Sequence, residues 1–219
     1  IGQVAFQRLA DLVADRKQTD PFAPVTVVVP SQYAGVALRR VLAADQGLLN
    51  VRFMILPRLA EYLGAPTLAK SGISPLTPLI ELASIRHIAI ESGADGPLSA
   101  VAQHEGLPRL LRRTFRELSR LDANDLSALA KTDNLRAQLV DWYRLFKEDN
   151  KSYYVHEDLV QAAEDAVALG TVTDTLRDIG FVVFYLLNDL TQAELRLAKR
   201  LIDMDQAGMI LGLVGEPDI

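Results

Sequence analysis

Cysteine is absent from the 219 residues. Disulfides, thiolate nucleophiles and zinc-thiolate sites are therefore excluded, and the composition suits a reducing cytoplasm. Histidine is scarce as well. His87, His104 and His156 stand far apart, and nothing near them has the spacing of metal ligands, so no metal site is expected. No apolar run approaches the roughly 18–20 residues needed to span a bilayer, and no signal-peptide pattern is visible. Low-complexity tracts and internal repeats are missing too. The charge is close to balanced: 23 lysines and arginines against 28 acids give a formal −5. That excess exerts no global pull toward nucleic acid or anionic membrane, though it leaves room for a local basic patch. Against these absences, 49% of the residues are apolar, enough for a sizeable core.

The most informative stretch is Phe181–Asp218. FVVFYLL is a continuous apolar run of strand length, the pattern of a strand buried on both faces. Asn188-Asp189-Leu190-Thr191 supplies turn and N-cap chemistry, and Glu194 follows Thr191 at capping-box spacing. Leu195, Leu197, Ala198, Leu201 and Ile202 recur at helical spacing. A second apolar run, MILGLV, then stops at Gly215-Glu216-Pro217-Asp218. Strand, helix and strand of this kind form a parallel βαβ unit.

The front of the chain has the same character. Residues 2–18 predict an amphipathic helix carrying Val4, Phe6, Leu9, Leu12 and Val13. VTVVV at 25–29 predicts a strand, and Pro30-Ser31-Gln32 a turn in which Ser31 caps a helix over 33–44. NVRFMIL at 50–56 predicts a second strand, and Pro57 opens a further helix. A loop is expected over 65–74. From about 75 to 170 only helical periodicity is found, in segments 76–92, 98–105, 107–120, 123–131, 133–151 and 156–169. The expected architecture is α/β: a mostly parallel sheet from 1–64 and 171–219, interrupted by an all-helical subdomain at 65–170.

This order of segments resembles the first RecA-like domain of superfamily 1A helicases, the UvrD/Rep type, with its helical 1B insertion. Ile1-Gly2-Gln3-Val4 and the following helix sit where that family ends its phosphate loop with Ser-Gly-Lys-Thr. VTVVVPSQYAGVALRRVL is similar to its motif Ia, and NVRFMILPRLAEYL to the next strand and its continuation. VHEDLVQAAEDAV resembles the helix before the acidic strand, FVVFYLLNDLTQAELRLAKRL the acidic strand and helix, and GLVGEPD motif III. The pattern is similar in particular to the B subunit of AddAB-type helicase–nucleases. In those proteins a helicase-like front end precedes a PD-(D/E)XK nuclease, so the chain is expected to be a fragment of a longer protein. The resemblance implies a RecA-like, P-loop NTPase-type sheet and a role in processing DNA ends for recombinational repair in the cytoplasm. It implies DNA, single-stranded or at a duplex end, and a helicase motor subunit as partners, with no membrane association. A magnesium-dependent nuclease would belong to the longer protein.

The departures from that family carry as much weight. Gln3 and Val4 stand at its lysine and threonine positions, and Leu186 and Leu187 at its Asp-Glu pair. Glu216 falls where motif III has an aspartate. A phosphate loop needs a lysine charge and a hydroxyl on magnesium, and leucine cannot hold a hard cation. The corner formed by Gly2, Gln3, Val4, Leu186, Leu187 and Glu216 is therefore expected to be a degenerate nucleotide site, with no catalytic residue, no metal and no cofactor. The alternatives are an active ATPase using other acids and a protein-interaction scaffold without DNA contact.

Candidate DNA contacts come in two groups. Ser31, Gln32 and Tyr33 end a buried strand where open parallel sheets bind ligands, and Arg52 and Arg58 flank the next strand. Arg109, Arg112, Arg113, Arg116 and Arg120 recur at three- and four-residue spacing on one helix, opposite Leu110, Leu111, Phe115, Leu118 and Leu121. That face is either a phosphate-contacting surface or a solvated face partly neutralised by Glu117. Trp142, Tyr143, Phe146, Tyr153 and Tyr154 offer either base-stacking surfaces or, as their helical spacing favours, core packing. Asp189, near the strand end, is read as turn chemistry.

Overall fold

The computed structural model describes residues 2–46, 48–93 and 95–212. These form two compact units, Ile1–Ser71 with His156–Ile219, and Gly72–Val155.

The first unit is built on a parallel sheet. Helix α1, Gly2–Lys17, buries Ala5, Leu9, Ala10 and Val13, one stripe at helical spacing. Beyond it, Asp20-Pro21 ends the periodicity and β1 follows at Val25–Val28, with all four residues buried. Strand β1 is central because its neighbours lie on both sides: β2, Val51–Met54, and β5, Phe181–Tyr185, pair with it in parallel, and β6, Ala207–Ile210, pairs in parallel with β5. The order is β2-β1-β5-β6. Parallel neighbours require crossovers. Helix α2, Gln32–Gln46, supplies the one between β1 and β2, and α10, Gln192–Asp203, the one between β5 and β6. Gly35 sets how closely α2 lies on the sheet, since a Cβ there would meet Phe53 Cβ and Val29 Cγ2 at 3.3 Å.

All four apolar runs read as strands pair in one parallel sheet. The paired segments are shorter than the runs, and the last begins earlier, at Ala207. On one face Val25, Val27, Val29, Val51, Val183 and Tyr185 join Leu9, Val13 and Leu42 in a buried cluster. On the other, the buried Thr26 hydroxyl donates to the Ile179 carbonyl at 2.6 Å, at the end of α9, Thr173–Ile179. That short helix has no counterpart in the sequence reading.

The segment read as a loop at 65–74 is largely helical. Helix α3 runs from Leu56 to Lys70 with Pro57 in its first turn and Pro66 inside it. Its partner is α8, His156–Ala168. At their crossing, a Cβ on Gly64 would lie 2.4 Å from the Leu159 carbonyl oxygen and 2.9 Å from the Ala163 nitrogen. This backbone-to-backbone approach holds α3 and α8 in the sheet-bearing unit, together with residues 65–71 and 156–170.

In the second unit, helices α4 (Pro78–Glu91), α5 (Leu107–Leu118), α6 (Ala123–Ala130) and α7 (Asn134–Asp149) surround their own core. Ile85, Ile88, Leu111, Phe115, Trp142 and Phe146 are buried there. Phe115 meets Tyr143 edge-on at 5.6 Å and Phe146 at 5.2 Å. The Thr77, Asp122 and Asp133 side chains cap α4, α6 and α7. Two findings correct the expectation of helix alone. Ser74–Pro75 (β3) and Tyr153–Tyr154 (β4) form a two-residue parallel bridge, and 98–105 holds only a 3-10 turn at Ser99–Val101. The bridge pairs residues about 80 apart in the chain, so its partner was invisible to a local pattern. No helix among the described residues is long and apolar enough to cross a membrane.

Candidate functional site

Two places in the first unit and one in the second hold the predicted site residues. The first is the corner where α1 begins and β5 ends. The carboxyl end of α1 lies at the start of β5, where the Arg16 guanidinium sits 3.6 Å over the Phe181 ring. Since α1 packs on β5 and β6, its first turn lies toward the strands' carboxyl ends. Gly2, Gln3 and Val4 are exposed there, and Val4 is 76% exposed. Ala5 and Phe6, next along the helix, join the same apolar cluster as Tyr185, Leu186 and Ile210.

Strand β5 ends at Tyr185. Leu186 follows with φ 48°, a conformation that disfavours a branched side chain, and its amide donates to the Ile210 carbonyl at 2.9 Å. Leu187 is half-buried. Tyr185 is buried, and burial pushes its phenol above the ordinary value, so it stays protonated. This residue was not among the predicted site residues, and the run read as the strand extends to Leu187, beyond the observed end of β5. FVVFYLL is apolar throughout, so no local signal marked that end. Asp189 has φ 56° and is exposed, in the turn that leads to α10. Thr191 and Glu194 form the expected capping box. Glu216 lies outside the described residues.

A magnesium–nucleotide does not fit this chemistry. A hard cation needs several oxygen ligands, and the positions at the strand's end present a neutral phenol and two aliphatic side chains. Among the described residues no group of three or more histidine, aspartate or glutamate side chains is arranged to hold a metal.

The second place is the carboxyl end of β1. Ser31 Oγ accepts from the Ala34 amide at 3.2 Å and caps α2 as expected. Gln32 and Tyr33 are exposed, and Tyr33 projects with 89% of its surface free. Beside them, between α2, β2 and α3, lies a groove of about 790 Å3. Arg52 and Arg58 are both committed elsewhere. Arg52 makes a two-point bond to Asp178 at 2.8 and 3.1 Å, which raises the Arg52 pKa and lowers that of Asp178. Arg58 pairs with Glu61 and lies 5.0 Å from the Tyr62 ring centre. The sequence does not show the Arg52 commitment, because Asp178 is 126 residues away, whereas Glu61 stands one helical turn from Arg58.

The third is α5, whose five arginines divide into two kinds. Arg112 is half-buried and bonds Glu81 of α4 at 2.6 Å; the Glu81 side chain is only 12% exposed. Arg120 pairs with Glu117 at 3.4 Å in solvent. Arg109, Arg113 and Arg116 are exposed and make no ion pair with the described residues. At spacings of four and three they line one stripe. Leu111, Phe115 and Leu118 make the buried face, whereas Leu110 is 64% exposed. Trp142, Tyr143 and Phe146 are buried in the helical core, so they pack and do not stack on bases. His87 and His104 are exposed, and His156 bonds Glu194.

No protein-family model matches the chain, and no curated protein matches it. Fold and chemistry define an α/β protein with a four-stranded parallel sheet.

Proposed function

We propose that the chain is a helicase-like module that does not hydrolyse ATP. It contacts DNA and docks to a motor subunit within a helicase–nuclease that processes double-strand breaks. The resemblance of its segment order to the UvrD/Rep type motivates the assignment, and the RecA-like identity of the sheet and the inserted nature of the helical unit are part of the proposal. One observation carries the non-catalytic reading: where α1 begins and β5 ends, Tyr185, Leu186, Ala5 and Phe6 belong to one apolar cluster. Magnesium and phosphate would need oxygen ligands and a lysine there. DNA contact draws support from Arg109, Arg113 and Arg116, exposed on α5 with no ion pair among the described residues, and from Ser31, Gln32 and Tyr33, exposed where α2 begins.

The test has two arms. Magnesium-ATP is expected to leave the melting temperature unchanged and to show no turnover. Fluorescein-labelled single-stranded and forked oligonucleotides are expected to bind with an affinity that falls as salt rises. ATP turnover refutes the non-catalytic assignment. Absence of any salt-dependent DNA binding refutes the DNA assignment and favours a pure scaffold.

A further inference from the structure

We infer that the outer edge of β2 is a docking site for an extended acidic segment of a partner protein, added to the sheet as a fifth strand. This does not depend on the DNA assignment.

Among the described residues β2 is an edge strand, paired with β1 alone. Within that pairing the Asn50 and Met54 carbonyls accept from the Val25 and Val29 amides. Alternate residues of a parallel strand turn both backbone groups to the same neighbour. Residues 50, 52 and 54 therefore serve β1, and Val51 and Phe53 direct their N–H and C=O outward. The Ile55 carbonyl is already taken by the Arg58 and Leu59 amides, which ends the open row at the start of α3. An open row of this kind repeats about every 6.6 Å and matches the backbone of another strand. Nucleic acid has no such repeat of donors and acceptors.

The groove of about 790 Å3 runs along this edge. One wall is α2, which presents Val36, 51% exposed, and Arg39, exposed and without an ion pair among the described residues. The half-buried side chains of Phe53 and Met54 lie to either side of the edge. Phe53 lies on the α2 side with Val36, so apolar contact is available to the side chains that an added strand turns toward α2. Charge selects the occupant. Arg39, Arg52 and Arg58 line the groove against a single acid, Glu61. Arg52 and Arg58 are paired, so Arg39 is the cation left to meet a carboxylate. An incoming strand that carries an apolar and an acidic side chain two positions apart turns both toward α2, and so satisfies the backbone row, the apolar wall and Arg39 together.

The probe is a fluorescein-labelled decapeptide in which valine and glutamate take turns at every second position with serine between them, compared with its valine–lysine counterpart and with a thymidine oligonucleotide. Anisotropy is expected to show the glutamate peptide binding at least about tenfold more tightly than the lysine peptide. Amide exchange at Val51 and Phe53 is expected to slow when the glutamate peptide binds. Arg39→Glu and Val36→Asp, both at exposed positions, should each weaken that peptide about tenfold or more without changing the circular dichroism spectrum. Equal binding of the two peptides, binding undiminished in both variants, or unprotected Val51 and Phe53 amides overturns the proposal. Slowing of those amides by the oligonucleotide and not by the peptide overturns it in favour of nucleic acid.

Discussion

Replacing Arg109, Arg113 and Arg116 together by alanine removes three exposed guanidinium groups that form no ion pair among the described residues. The three lie on one stripe of α5 spanning about 10 Å, at about 1.5 Å of rise per residue. Each phosphate neutralised on single-stranded DNA adds about 0.7 to the slope of log affinity against log salt. Loss of all three should flatten that slope by about 2, so doubling the salt weakens the variant about fourfold less than the parent. Stability should hardly change, because solvated side chains away from caps and cores contribute within about 0.5 kcal/mol. Arg112→Ala provides the contrast. It strands Glu81, whose side chain is largely buried, and should cost about 2 kcal/mol in urea unfolding with little effect on the slope. Anisotropy titrations at four or five salt concentrations give the slope, and denaturation gives the stability. An unchanged slope in the triple variant, or an equal loss of slope in Arg112→Ala, refutes the division of these arginines into contacting and structural kinds.

Gly64→Ala would favour the helix by about 1 kcal/mol on propensity alone. With a Cβ forced to 2.4 Å from the Leu159 carbonyl, the net is expected to be a loss of about 1–3 kcal/mol, and a rise in melting temperature would refute the α3–α8 contact. Thr26→Val keeps the volume but leaves the buried Ile179 carbonyl without its 2.6 Å donor. It should cost about 1–3 kcal/mol in urea unfolding, and Thr26→Ser should recover most of it. Burial alone would raise the pKa of Glu194, but hydrogen bonds from His156 and from the Thr191 amide and hydroxyl outweigh it, and the folded value lies below 4.5. A carboxyl depressed in the folded state stabilises fully above its unfolded pKa and loses that contribution as pH falls through the folded one. Melting temperatures should therefore drop below about pH 4.5 more steeply in the parent than in Glu194→Gln; parallel curves refute the linkage. Thr191→Ala, which removes the cap, should cost about 1 kcal/mol at neutral pH, read from the same unfolding curves.

The sheet was legible because its strands are short, mainly apolar runs, with β1 and β5 almost wholly buried, and such runs stand out against helical periodicity. VTVV, VRFM, FVVFY and the run around MI all pair as parallel neighbours. Local chemistry was legible too. Ser31 caps α2 and Thr191-x-x-Glu194 forms its capping box, because each cap satisfies backbone groups only three residues away. The helix through Pro66 was lost to composition: 65–74 is rich in Gly, Pro, Ser and Thr and reads as a loop, yet α3 runs through Pro66 to Lys70. The same limit applies to α5. Its stripe of arginines was visible from spacing, but spacing assigns all five the same role.

Residue type and order, then, determined the class of fold, the absence of carboxylates at the end of β5 and the positions of the caps, since each depends on neighbours within a turn or a strand. The tertiary structure alone decided which charges are spent. Arg52 meets Asp178 across 126 residues and Arg112 meets Glu81 across 31, while Arg109, Arg113 and Arg116, on the helix that carries Arg112, meet no acid among the described residues. Ion pairing acts over a few ångströms of space regardless of separation along the chain, so only the folded arrangement sorts the engaged cations from those left to meet a ligand.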